Sequence, residues 1–171
     1  MSHTVIYVSA SEQAEELRLR LFRSEPSIVV VNGVDLEAME RLILQSPIGR
    51  ESLGLTADDL VMGSVSRFDP VKRIKLLVET VQRLRAWFPR LELVLVGGGG
   101  DEERIRRRVL EMRLQKQVIF TGFLENPARV YRAFDLYVAA SHKEGLRCLS
   151  PRQWPRASRS SPATCPATAT S

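Results

Sequence analysis

From Leu60 onward, unbroken apolar runs alternate with stretches whose apolar residues recur every three or four positions. Leu60 to Val65 and Leu91 to Val96 are runs of the first kind, the latter interrupted only by Glu92. Such runs predict strands covered on both faces. Pro70 to Phe88 carries Ile74, Leu77, Val78, Val81 and Leu84 at helical spacing, and Pro89 stops it. Asp101 to Leu114 repeats the pattern with Ile105, Val109 and Met112 inward. Val118 to Phe120 predicts a third strand, Ala128 to Phe134 a short helix, and Leu136 to Ala139 a fourth strand. Strands separated by helices imply parallel βαβ units in a doubly wound α/β sheet. Ligands of such sheets sit at the carboxyl ends of the strands.

The first sixty residues are less regular. Val5 to Ser9 predicts a buried strand, and Ser11 a cap for a helix with Ala14, Leu17 and Leu21 on one face. Ile28 to Val31 is a second apolar run, closed by the turn signal Asn32-Gly33. Residues 36–56 are mixed, with short helical pieces. The last twenty-five residues, RCLSPRQWPRASRSSPATCPATATS, have no periodicity, no acid and a surplus of Pro, Ser, Ala, Thr and Arg.

With 171 residues, 44% hydrophobic, the chain is long enough for one ordinary domain with a core. No run approaches the roughly 20 apolar residues of a membrane span, and MSHTVIYVSASEQ lacks the features of a secretion signal. Cys148 and Cys165 both lie in the tail and give neither a disulfide framework nor metal spacing, so a cytoplasmic location is expected. The net charge of +5 rests on the tail: without its four arginines, 21 of the 25 bases face 20 acids. Nucleic-acid binding is therefore not expected, and the aromatic stacking platforms it uses are missing.

Four motifs fall at expected strand ends. Gly63-Ser-Val-Ser-Arg67-Phe-Asp-Pro-Val-Lys72-Arg73 puts Arg67 after the first core strand, with Asp69 as N-cap and Pro70 as first helical residue. Lys72, Arg73 and Lys75 then crowd a helix start, where cations are unfavourable by about 0.3–1 kcal/mol each. A bound anion would reverse that sign; a solvated basic helix start is the alternative. Gly97-Gly-Gly-Gly100 follows a strand but fails the G-x-G-x-x-G spacing, and Asp101 to Glu103 would repel a pyrophosphate, so they are read as a cap. That disfavours a dinucleotide-dependent enzyme. The glycines let backbone approach a ligand, or make a tight turn. Gly122, in Val-Ile-Phe-Thr-Gly-Phe-Leu124, opens a loop at the ligand face, and Ser141-His-Lys-Glu144-Gly-Leu146 follows the fourth strand. His142 and Glu144 are each read as solvated residues or as sugar-site groups.

In order and spacing, these pieces resemble family-4 retaining glycosyltransferases of the two-domain GT-B fold. The carriers are Val-Ser-Ala-Ser-Glu (8–12), Val-Asn-Gly-Val-Asp (31–35), Arg67 with Lys72, Leu-Val-Leu-Val-Gly-Gly-Gly (93–99), Phe-Thr-Gly-Phe (120–123) and Ser-His-Lys-Glu-Gly-Leu (141–146). The resemblance covers roughly residues 4–146. It implies that residues 1–34 end an N-terminal domain and linker, and that 35–146 form part of a nucleotide-sugar-binding domain, a truncated Rossmann-like half of a GT-B fold.

The resemblance also implies roles. Arg67 and Lys72 would hold the donor diphosphate and stabilise departing charge; Gly98 would let backbone approach the donor. Backbone at Phe123 and Leu124 would contact the base, and Glu144 the transferred hexose. The donor would be a UDP-, GDP- or ADP-sugar, with no cofactor and no metal, and peripheral membrane association is expected only of a full-length parent. In the family's E-x₇-E motif a second Glu holds the ribose; here Arg152 stands eight residues after Glu144. Back-translation suggests why. Pro151 to Pro155 can be written CCG-AGG-CAA-TGG-CCN, which from its third base reads Glu-Ala-Met-Ala, and Arg156 to Ser161 permits Gly-Leu-Pro-Val-Val. A one-base slip near codon 147 is expected, with 147–171 out of frame and unstructured. The sequence thus predicts a hexosyltransferase lineage, inactive as this fragment, or alternatively a non-catalytic nucleotide-diphosphate-binding remnant.

Overall fold

The computed structural model describes residues 4–19, 26–31, 33 and 35–142. Four parallel strands form the main sheet: β3 (Leu60–Val65), β4 (Leu91–Val96), β5 (Val118–Gly122) and β6 (Leu136–Tyr137), in the order β5-β4-β3-β6. β3 and β4 begin and end where the apolar runs do. Their register pairs Leu60 with Leu91 and Val65 with Val96, so both strands finish at one level. A separate two-stranded parallel sheet pairs β1 (Val5–Tyr7) with β2 (Ser27–Val29).

The main sheet is covered on both faces, as the lack of polar alternation requires. On one face α3 (Ile74–Leu84) and α4 (Glu102–Glu111) pack Ile74, Leu77, Val78, Val81, Ile105 and Val109 against Met62, Leu91, Leu93 and Leu95. On the other, Val61, Val94 and Val96 meet Leu55, Val130 and Ala133. Gly63 is needed there because the Phe134 ring occupies the place of a side chain: a Cβ would lie 2.1 Å from it.

Several elements differ from the sequence reading. The helix expected from Pro70 to Phe88 is broken: Pro70–Lys72 is a 3-10 turn, Arg73 turns left-handed at φ 51°, and α3 starts only at Ile74. Pro70 and Asp69 are start signals for either helix type. The short helix near 128–134 is a 3-10 helix, Pro127–Ala133, and the fourth strand is two residues long. Residues 36–56 hold a full helix, α2 (Leu36–Gln45), capped by Asp35, whose carboxylate accepts from the Ala38 N–H at 2.9 Å. In α1 (Ala10–Leu19) the cap is Ser9 rather than Ser11, since Ser9 Oγ accepts from the Glu12 N–H. Ala14 and Leu17 lie exposed, because Glu12, Gln13 and Glu16 take the covered side; Leu21 lies outside the described residues. Asp101 makes no side-chain cap to α4; it pairs with Arg104 at 3.1 Å instead.

Two arginines tie the preceding segment to the sheet. Arg50 donates to the carbonyls of Ala133, Ala57 and Asp59 and pairs with Asp135 at 2.6 Å. Asp135 also accepts from the Val61 N–H at 2.8 Å, so one carboxylate joins the Arg50 segment to β3. Arg129 fastens the end of α2 by donating to the Ser46 carbonyl and hydroxyl.

Candidate functional site

The carboxyl ends of β3, β4 and β5 converge through backbone hydrogen bonds that run beyond the strands. The Ser66 N–H donates to the Val96 carbonyl (3.0 Å), Phe68 N–H to the Gly98 carbonyl (2.9 Å), and Gly97 N–H to the Gly122 carbonyl (2.9 Å). The Asp101 N–H returns to the Phe68 carbonyl at 3.1 Å. This lacing explains the glycines. A Cβ on Gly97 would sit 2.1 Å from the Ser66 carbonyl oxygen, and one on Gly99 2.5 Å from that of Phe68. Both have positive φ, 124° and 155°. Gly98 is different: an added Cβ would meet only the flexible tip of Glu102, at 3.2 Å. The first and third glycines serve the loop's own shape, whereas Gly98, its carbonyl held by Phe68, has only a flexible side-chain tip near its α-carbon.

Phe68 is the anchor of the turn after β3. It is fully buried and meets Phe120 edge to face at 6.3 Å between centroids. Arg106 covers the same Phe120 ring at 4.1 Å. With Phe68 held inward, its neighbours Arg67 and Asp69 project at the rim.

Arg67 is 79% exposed and donates through Nε to Asp69 at 2.9 Å. Its two Nη atoms make no hydrogen bond among the described residues. The second Asp69 oxygen accepts from the Lys72 N–H at 3.1 Å, the cap the sequence predicted. The Arg67 hydrogen bond holds the Asp69 carboxyl below the usual carboxylate range; the Lys72 N–H and both positive charges act the same way, against partial burial that pushes it up. One carboxylate thus holds the Arg67 side chain and the backbone of Lys72. Asp69's role as a brace for Arg67, beyond capping, was missed; the Arg-x-Asp spacing at a strand end was its only signal.

Phe123 is 84% exposed past the end of β5, while Leu124 turns back to pack on the second core cluster. Tyr137 on β6 donates to the Val65 carbonyl at 3.3 Å. The backbone leaving β6 is pinned where the His142 N–H donates to the Val71 carbonyl at 2.9 Å, beside Lys72. That contact brings His142 to the same rim. Glu144 and the tail 147–171 lie outside the described residues. One polar atom at the rim, Ser66 Oγ, is buried without a hydrogen-bond partner. Among the described residues no three His, Cys, Asp or Glu side chains cluster, and no helix is long and apolar enough to cross a membrane.

In open parallel α/β sheets ligands bind at the carboxyl ends of the strands, and here that edge carries Arg67 and the Gly97–Gly100 loop. The family model for glycosyl transferases group 1 matches residues 45–146, and the chain belongs to that family of GT-B glycosyltransferases. Among curated relatives, the D-inositol 3-phosphate glycosyltransferase of Stackebrandtia nassauensis is 34% identical over 155 residues, covering 81% of this chain and 34% of that protein. Among solved structures, sucrose-phosphate synthase from Thermosynechococcus elongatus superposes with a TM-score of 0.67 at 28% identity, over 84% of this chain and 36% of that one. Anabaena HepE, in complex with UDP-glucose, superposes with a TM-score of 0.66 at 24% identity, over 81% of this chain and 38% of its own. The chain spans about a third of the length of the curated relatives it matches.

Proposed function

We propose that this chain is the donor-binding part of a retaining hexosyltransferase that takes its sugar from a nucleotide-sugar. The observation that carries the reading is Arg67: it leaves the carboxyl end of β3 with both Nη atoms making no hydrogen bond among the described residues, while its neighbour Phe68 is tied to Gly98. A guanidinium fork of that kind suits two oxygens of a diphosphate. When the glycosidic C–O bond breaks, the electron pair leaves with the nucleoside diphosphate. Arg67 and Lys72 stabilise that charge without reorganising, which is electrostatic catalysis by placed cations, and the role needs no metal. Glu144 would hydrogen-bond the hexose, and backbone at Phe123 and Leu124 would face the base. Family membership supports a nucleotide-sugar donor, and HepE, which shares the fold, binds UDP-glucose.

With Arg152 where the ribose carboxylate belongs, we assign this chain donor-diphosphate binding without turnover. The test is calorimetric titration with UDP, GDP and ADP in EDTA, followed by a transfer assay with the sugar form of whichever nucleotide binds. Metal-independent binding without transfer is expected. Absence of binding by all three contradicts the donor site; efficient transfer contradicts the loss of turnover.

A further inference from the structure

The opposite end of the main sheet carries a second concentration of exposed chemistry. α3 and α4 return antiparallel to the strands, so their C-termini lie together at the strands' amino ends. The loops there are tied to adjacent strands: Leu91 N–H donates to the Phe88 carbonyl (3.0 Å), Leu60 N–H to Arg90 (2.9 Å) and Leu93 N–H to Gln117 (2.7 Å). On this frame Trp87 is 72% exposed and Phe88 47%. Arg83 and Arg85 lie on the same segment and Arg113 and Lys116 follow α4 at the same end of the sheet; all four are exposed, and none forms an ion pair among the described residues. The acids on these segments are engaged: Asp58 and Asp59 with Arg90, Glu111 with Arg108. Glu92 is half-buried on the far face of the sheet from α3. The unpaired charge at this end of the sheet is positive.

An exposed indole and phenyl ring at one end of the sheet, together with long unpaired cations at that end, match the boundary between lipid headgroups and acyl chains. Trp settles at that depth, and Arg and Lys reach the headgroups. We infer that this end of the domain docks on an anionic lipid surface. The docking is independent of the donor site and does not rest on the reading of it. Six-residue strands span about 20 Å, so the rim bearing Arg67 would face away from the bilayer, open to water-borne nucleotide sugar. A single-stranded RNA would want several aromatic rings spaced along its track, and this end offers two rings that are neighbours in sequence.

The test uses the full 171-residue chain in a Trp154→Phe background, which leaves Trp87 as the sole indole. It is mixed with vesicles of phosphatidylcholine alone or with phosphatidylglycerol, and read by co-sedimentation and Trp emission. Binding only to the phosphatidylglycerol vesicles is expected, with a blue shift, and with loss in about 0.5 M salt, where screening reaches a few Å. Each removed cation should weaken partitioning roughly five-fold, so Arg83→Gln/Arg85→Gln should lose about twenty- to thirty-fold. Arg113→Gln/Lys116→Gln checks the neighbouring helix end independently, and circular dichroism confirms that both fold. Trp87→Ser should also weaken binding. No binding to anionic vesicles, equal binding to neutral ones, undiminished binding by the folded variants, or preference for an RNA oligonucleotide would each overturn the inference.

Discussion

Arg67 and Asp69 form an ion pair at 2.9 Å in which the carboxylate simultaneously caps the turn carrying Lys72. One side chain therefore sets both the local fold and the direction of the cation proposed to meet the donor. Asp69→Asn keeps the shape and removes the charge. It should lower the melting temperature slightly and weaken nucleoside diphosphate binding by several-fold, through a less restrained Arg67. Because the Asp69 pKa is lowered, its stabilising contribution is present above the unfolded-state value and is lost as pH falls through the folded one. Acid titration of wild type and Asp69→Asn should differ only in that low-pH window.

The glycines offer an internal control. Gly97→Ala drives a Cβ against the Ser66 carbonyl at positive φ and should cost more than about 2 kcal/mol in urea denaturation. Gly98→Ala meets only the tip of Glu102, so it should fold nearly as stably as wild type yet bind nucleotide more weakly. Equal stability losses in the two variants would contradict the division of labour between them.

Glu92 is the opposite electrostatic case. Burial, and then the neighbouring Asp59 charge, push its pKa up, and one of its oxygens is buried without a partner. A raised carboxylate favours the folded state while protonated. That contribution is full below the unfolded-state pKa and is lost as pH rises through the folded one. Glu92→Gln should therefore be more stable than wild type at neutral pH, with the advantage vanishing in acid. Melting temperatures across the mildly acidic range would show it.

Arg50→Ala should cost roughly 2–3 kcal/mol, because it strips carbonyl partners and leaves Asp135 without its cation. Chemical denaturation checks this, and the donor rim, at the other end of β3, should keep its nucleotide affinity per folded molecule.

β3 and β4 were legible to the residue because burial on both faces leaves a run of apolar side chains that nothing else explains. Arg73 was not legible: an exposed Arg at φ 51° is set by the geometry between a 3-10 turn and α3, and local propensity argues against it. α2 was legible only as short helical pieces because it packs on the 3-10 helix at Pro127–Ala133, far along the chain. Arg50 was invisible for the same reason, since Ala133 and Asp135 lie more than eighty positions away. At the site, the types and order of the residues could be read, as could the Asp69 cap. Its grip on Arg67 and the pin from His142 to Val71 needed coordinates.

The most direct measurement is calorimetric titration of UDP into the wild-type chain, Arg67→Ala and Lys72→Ala, at low salt with EDTA present. Loss of a charge-assisted contact to the diphosphate should weaken binding about ten- to a hundred-fold in each variant, while uridine alone, lacking phosphates, should bind all three proteins alike. UDP affinity unchanged by both substitutions would contradict the account, whatever the variants do to stability.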